Sequence, residues 1–525
     1  MIKGLILTGK GIYNSTTTSG FSYVRKFNEF ISEKQRKAHP AFNLRATGPY
    51  RISQHLYQHG YDVEIIDYVN FFDRSDLFTL IEARILDGVK WIGVSVNFIQ
   101  QFFGRIADLF LELKKKYPYL YFLVGGQNFG KVTNLNADVY IDGFSENAVV
   151  DVLDSYFKGK EFPNSTVIFD KAKHVDAIHT NPSWPLPDYS LRLQDSDFLT
   201  PQDVISIELE RGCRFKCNFC EFPILGVKED GSVSEQVIYD QLLSNYERYG
   251  IKYYFISDET VNSRNSKLQK LANAIDKLPF DPIFTGFVRL DIMHNNPEMI
   301  DLLIRCNIVG HHYGIETFNR LSGKIIGKGY DPEKNKDLLC QIRDMYGEQG
   351  KPFMGTCSMI CGLPEQSLES AQSDVDWYNK YYSDGNMHFY SLNIANAYKL
   401  SAFGVDLDKF GYRVMDKEKF YEKMEGKYEL HIGTKVDFDS YNNLTILWEN
   451  DLMDIVDSMD FVSNFNTTNR IKMNNWSFVG NLAAGMDIHK QHDSNYYDET
   501  WETYLDVADA HINDYIDNKM LSLYM

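Results

Sequence analysis

Short apolar runs alternate with amphipathic segments along the first 160 residues. The runs are GLILT (4–8), DVEIID (62–67), WIGVSV (91–96), YFLVGG (121–126) and DVYIDG (138–143). Segments of helical period accompany them: YRISQHLYQHG (50–60), LFTLIEARILDG (77–88), FFGRIADLFLELKKK (102–116) and NAVVDVLDSYFKG (147–159). Continuous apolar strands separated by helices predict a parallel sheet covered on both faces. Right-handed crossovers then give a doubly wound, Rossmann-like domain with its ligand edge at the carboxyl ends of the strands. The stretch from about 10 to 48 is long and polar for one connection, so it reads as an insertion near that edge.

NPSWPLPDY (181–189), with three prolines in six residues, marks a linker. A second alternating series follows, with strands predicted at VISIELE (204–210), KYYFIS (252–257), FTGFVRL (284–290), GHHYGIE (310–316), GTCSMICGL (355–363) and HFYSLNI (388–394). Helices such as 234–250 and 367–382 separate them. Six such units suggest an open partial (β/α)6 barrel, with chemistry at the C-terminal ends of its strands. Beyond about 400 the pattern is helical and polar. Trp501, Tyr504, Leu505, Ala508, Ile512 and Ile516 form one stripe, expected to pack against the barrel. The fold class is therefore α/β. The expected domains are 1–165 (Rossmann-like), 166–200 (linker), 201–398 (partial barrel) and 399–525 (C-terminal, mainly helical).

A chain of 525 residues with 44% hydrophobic and 14% aromatic positions can bury several cores, which excludes disorder. No run of 18 apolar residues predicts a membrane span, and the N-terminus reads as a first strand and not as a signal peptide. The net charge of −18 disfavours nucleic acid as a partner. It leaves a small molecule or a peptide as the expected substrate. Seven cysteines, three of them within eight residues, argue for a reduced cytoplasmic protein with a metal site rather than a disulfide scaffold.

The three are Cys213, Cys217 and Cys220 in ELERGCRFKCNFCEF, directly after a predicted strand. Thiolates this close on one loop suit iron. Three are one too few for a cube of four irons, so one iron would stay open to a substrate. Gly212 permits the tight reversal that begins the loop, and Phe219 can shield a cluster from water. Zinc is the rival metal, but no second pair of ligands at zinc spacing is present. His311 and His312 are adjacent and point to opposite faces of a strand. Cys306, Cys340, Cys357 and Cys361 read as small core residues.

The CxxxCxxC loop after the first barrel strand resembles the signature of radical S-adenosylmethionine (SAM) enzymes. Further elements resemble that family in order. ISDET (256–260) ends the second strand, where the family binds the amino group of the SAM methionine, so Ser257, Asp258 and Glu259 are candidates. Arg289 ends the third strand at a position resembling a polar SAM contact. YGIET (313–317) resembles the fourth-strand element, with Glu316 as candidate. SMICGLPE (358–365) resembles the GxIxGxxE pattern beside the adenine, with Ile360 and Gly362 in place and Ser358 where the first glycine would stand. IIGKG (325–329) resembles the branch shared with methylthiotransferases.

The first domain resembles the cobalamin-binding domain fused to one large class of these enzymes. GPYRI (48–52), the strand ending at Ser95, Asn97, and the pair Gly125 and Gly126 carry that likeness. The family's Asp-x-His-x-x-Gly loop is absent after the first strand, so cobalamin would bind without a histidine ligand. The resemblance implies a [4Fe-4S] cluster, SAM and cobalamin as cofactors, and an external one-electron donor of flavodoxin or ferredoxin type. It implies reductive cleavage of SAM to a 5′-deoxyadenosyl radical, used for C-methylation or rearrangement. A radical SAM enzyme without cobalamin, inserting sulfur, cyclising or abstracting hydrogen, is the alternative. A non-catalytic iron–sulfur or SAM sensor is the alternative of another class.

Overall fold

The computed structural model describes residues 1–9, 44–45, 47–96, 103–126, 135–169, 171–177, 186–328, 331–383, 388–395, 401–406, 408–410, 412–414, 438–440, 507 and 510–524. Two seven-stranded sheets dominate it. The strands of the front sheet are β1 (Ile2–Leu7), β3 (Tyr61–Ile66), β4 (Val89–Ser95), β5 (Tyr121–Gly126), β6 (Val139–Asp142), β7 (Thr166–Phe169) and β8 (Ala172–Asp176), in the order β3-β1-β4-β5-β6-β8-β7. All pairs are parallel except β7 with β8. Helices α1 (Thr47–Gln58), α2 (Arg74–Leu86), α3 (Phe103–Lys116) and α4 (Glu146–Lys158) complete this unit. The direction of winding reverses at β1, so the ligand crevice of such a sheet lies between the ends of β1 and β4.

The second sheet runs β14-β13-β12-β11-β10-β9-β2 and is parallel throughout. Its strands are β2 (Leu44–Arg45), β9 (Val204–Ile207), β10 (Tyr253–Ile256), β11 (Ile283–Val288), β12 (Ile308–Glu316), β13 (Met354–Cys361) and β14 (His388–Ile394). The six barrel strands stand where their apolar runs predict them. The seventh does not come from the barrel region. Leu44 and Arg45, at the end of the stretch read as an insertion, pair with Val204 and Ile205.

Two further expectations are corrected. The segment 166–200 is not wholly a linker, because β7 and β8 form a hairpin and β8 extends the front sheet beside β6. The front unit therefore runs past 165. The described part of the C-terminal stripe packs elsewhere than on the barrel: Ile512 and Ile516, with Tyr515 beside them, join the front-sheet core with Leu5, Leu7, Ile66 and Phe72. Trp501, Tyr504, Leu505 and Ala508 lie outside the described residues. The short helix 510–521 works as a strap. Lys519 binds Glu64 at 2.8 Å, Tyr515 Oη accepts from the Asp67 amide at 2.8 Å, and His511 meets Asp203 at 3.2 Å.

Asp203 and Asp67 also receive Arg45, at 2.7 and 2.6 Å, so one buried guanidinium ties both sheets to the strap. Burial alone would raise Asp203; Arg45 and His511 instead hold it well below the usual carboxylate range. A second buried cluster runs without a break from Ile6, Val63 and Ile141 through Leu186, Leu191 and Leu193 to Ile205 and Ile256. The two sheets thus share a core, which fixes the edge of one against the other. Among the described residues no helix is long and apolar enough to cross a membrane.

Candidate active site

The cysteine loop leaves β9 at Ile207 and reverses at Gly212, whose φ of +94° suits glycine. It then closes on itself. The amides of Cys213 and Gly226 donate to the carbonyls of Ile224 and Phe215 at 2.8 and 3.1 Å, and the Val227 amide donates to Cys213 O at 3.1 Å. From across the barrel mouth, Asn218 donates through its amide to Ile326 O at 3.0 Å and through its side chain to Ile325 O at 2.6 Å. Gly327 (φ +85°) makes this approach possible, since a Cβ there would stand 3.2 Å from the Lys216 carbonyl. The IIGKG segment is thus the wall against which the cysteine loop is built.

Each thiol meets a polar neighbour. Cys213 Sγ lies 3.6 Å from Thr260 Oγ1, Arg289 Nη1 points to Cys217 Sγ at 3.5 Å, and the Phe222 amide points to Cys220 Sγ at 3.5 Å. Such bonds orient thiolate ligands and stabilise their charge. Burial pushes the Cys213 thiol up; burial and then Glu259, among others, take Cys220 to about 12. These are thiols that need a metal to ionise at neutral pH. They are close enough to feel one another's charge, yet among the described residues no three His, Cys, Asp or Glu side chains converge to hold a single metal ion.

Around the loop the candidates separate. Phe219 and Ile360, both partly buried, pack against one apolar cluster with Ile326, Leu363 and Phe403. Gly362 (φ +84°) turns the chain after β13, its amide held by Gln366 at 2.8 Å. Arg289 stacks over Phe215 at 3.8 Å and is clamped by Asp291 at 2.5 Å.

Of the three candidates after β10, two are already committed. Asp258 is buried, takes the Leu209 amide at 2.7 Å and binds Lys267 at 2.9 Å. Ser257 donates to Ile207 O at 3.0 Å. Glu259 alone is open to solvent and, among the described residues, its carboxyl has no hydrogen-bond or ion partner. Surrounding protein, then Asp258 and Glu208, raise it to about 7. A free carboxylate in an acidic mouth is a place for a cation.

Glu316 is buried at φ +70°, where β12 slips register against β13 between Gly314 and Glu316. Bulges of this kind re-aim side chains beside active sites. Lys328 lies 3.4 Å from it and donates to Gly314 O at 2.6 Å. Lys328 and Thr260 were missed as site residues, although both lie inside the motifs quoted above.

On the front sheet, Ser95 pairs with Gly125, and Gly125 and Gly126 pair with Ile141 and Asp142, so these positions share the ligand edge. Thr8, just after β1, has a buried hydroxyl without a hydrogen-bond partner among the described residues. Asn97 lies outside the described residues. Of the remaining cysteines, Cys306 and Cys357 are buried as expected, Cys340 is exposed, and the side chain of Cys361 lies outside the described set. His311 is buried between Tyr313 and Tyr346, whereas His312 faces Phe287 on the other side of the strand.

Residues 207–378, from the end of β9 into α10 (Leu368–Ser383), match the profile of the radical SAM superfamily. This segment of the chain is a radical SAM domain. The chain is also similar to the cytidylyl-2-hydroxyethylphosphonate methyltransferase of Streptomyces wedmorensis, at 22% identity over 228 residues. That match covers 42% of this chain and 42% of the relative, less than half of its length. Among solved structures, the radical S-adenosylmethionine methyltransferase TsrM of Kitasatospora setae, with tryptophan and a SAM analogue bound, aligns with a TM-score of 0.66 at 14% identity. The alignment covers 96% of this chain and all of that one. The cobalamin-dependent radical enzyme OxsB, with aqua-cobalamin bound, aligns with a TM-score of 0.55 at 14% identity, over 99% of this chain and 72% of OxsB. These likenesses are of fold.

Proposed function

We propose that this protein is a cobalamin-dependent radical SAM C-methyltransferase acting on a small molecule or peptide between its two sheets. The observation that carries the proposal is the pairing of two ligand edges through one core: the three-thiol loop at the barrel mouth, and the Ser95–Gly125–Gly126 edge of the front sheet. Cys213, Cys217 and Cys220 would hold the [4Fe-4S] cluster. Glu259 is the free anion for the amino group of SAM, Arg289 clamps the thiol side, and Phe219 with Ile360 keeps water from it.

Ser95, the paired glycines and the orphaned Thr8 hydroxyl suit the nucleotide tail of a corrin, because backbone without side chains permits close approach. When bound, these cofactors supply radical generation and methyl transfer; the protein supplies position and exclusion of water. The fold shared with TsrM and OxsB, which their descriptions associate with methyl transfer and with cobalamin respectively, supports the reading. The free, reduced thiols suit a cytoplasmic setting, with electrons from a flavodoxin- or ferredoxin-type donor. Reconstitution with iron and sulfide, with and without cobalamin, tests it. Cobalamin should co-elute with the protein after desalting, and S-adenosylhomocysteine should form only when it does. Absence of bound corrin would favour the cobalamin-free alternative.

A further inference from the structure

Two arginines and two glutamates, all buried but for the partly exposed Glu208, meet where the front sheet adjoins the barrel, beside the root of the thiol loop. Arg211 donates to Glu146 at 2.7 and 3.0 Å and to Glu208 through two bonds of 2.7 Å. Arg51, on α1, lies 3.7 Å from the Glu208 carboxylate. The side chains of Arg51, Glu146 and Arg211 are each 4% exposed. Two cations balance two anions, as buried charges require. Glu146 also sits in the first turn of α4, where the helix favours an anion. Phe144 lies under the Arg211 guanidinium at 4.2 Å and meets Phe222, two residues beyond Cys220, edge-on.

The position of this set matters. Arg211 stands two residues before Cys213. Glu146 stands three residues after Gly143, whose amide donates to Gly126 O at 2.7 Å. One short loop of the front domain therefore closes the front ligand edge and grips the root of the cysteine loop.

We propose that Glu146 is a positioning residue for the thiol-bound cluster, locking the cysteine loop to the front domain through Arg211 and setting the cluster's redox environment. The proposal rests on the reading that the three thiols hold an iron–sulfur cluster. Removing the Glu146 charge leaves Arg211 with Glu208 alone of these two carboxylates. The foot of the loop then gains one net positive charge, which favours the reduced cluster; hydrogen bonds, burial and nearby charge all tune such potentials.

The test uses the full chain, reconstituted without oxygen, as wild type, Glu146→Gln, Arg211→Gln, the double variant and Glu146→Asp. Iron content, the electron paramagnetic resonance (EPR) signal of the reduced cluster and its midpoint potential are measured for each. The expected result is full iron with a raised potential in Glu146→Gln, a lowered one in Arg211→Gln, and a return toward wild type in the double variant. Glu146→Asp should lie between wild type and Glu146→Gln. Should Glu146→Gln fail to fold, Arg211→Gln is read against the double variant, which must have the higher potential. An unchanged potential and EPR signal in iron-replete Glu146→Gln, or no difference in that second comparison, overturns the proposal. Wild type without iron would remove the cluster reading itself, a result visible before any potential is measured.

Discussion

Glu259 and Asp258 are adjacent and have opposite surroundings. Asp258 is held by Lys267 beneath the barrel mouth, whereas Glu259 has no ion partner among the described residues and its carboxyl is raised to about 7. A raised carboxyl is neutral below its midpoint and anionic above it, so binding of cationic SAM should strengthen as pH rises through about 7. At most it should strengthen by about tenfold per unit on the acid side. Titration calorimetry on cluster-loaded protein between pH 6 and 8 checks this, and Glu259→Gln should bind weakly with a flat profile. Equal pH dependence in both proteins would assign the titration elsewhere. Lys328 makes a second case. Lys328→Met strands Glu316 in the interior and should cost about 3–5 kcal/mol in urea unfolding, most of it recovered in Lys328→Met/Glu316→Gln. A loss below about 1 kcal/mol would mean that the pair is solvated.

The strap 510–521 ties the front sheet to the residues that lead into the barrel. Tyr515 alone packs against Tyr68 and Phe72, stacks near Arg45 and caps the Asp67 amide. Tyr515→Ala should therefore cost about 3–5 kcal/mol by cavity formation, with matching losses by circular dichroism and by tryptophan fluorescence if front sheet and barrel unfold as one. A loss confined to one probe would show that the sheets unfold separately. The helical face of this element was legible in its apolar period, but its partner was not, because periodicity says which side is buried and not against what. The barrel and front strands were legible for a plain reason: each is a continuous apolar run bounded by turn residues. The hairpin at 166–176 was hidden by its shortness and by the charged residues of AKHVD, and a two-residue strand such as Leu44–Arg45 leaves no pattern to read.

In the molecule as a whole the two sheets share a continuous core, with buried ion pairs at the seam. The three thiols were recognisable because a local spacing carries their chemistry. Of their supports Arg289 was legible from its place at a strand end; Thr260 and Lys328 were not, because they reach the site only through the closure of the barrel, and Glu146 only through the packing of one domain on another. The central claim is that Cys213, Cys217 and Cys220 hold a cluster that cleaves SAM reductively. The most direct measurement is mass spectrometry of SAM products after anaerobic reconstitution, addition of a strong reductant and incubation with SAM, comparing wild type with Cys217→Ala. The account expects 5′-deoxyadenosine or, where cobalamin is bound, S-adenosylhomocysteine from wild type only, with iron lost from the variant. Iron-replete wild type that leaves SAM intact under every condition, or a Cys217→Ala protein that keeps both iron and turnover, would contradict it.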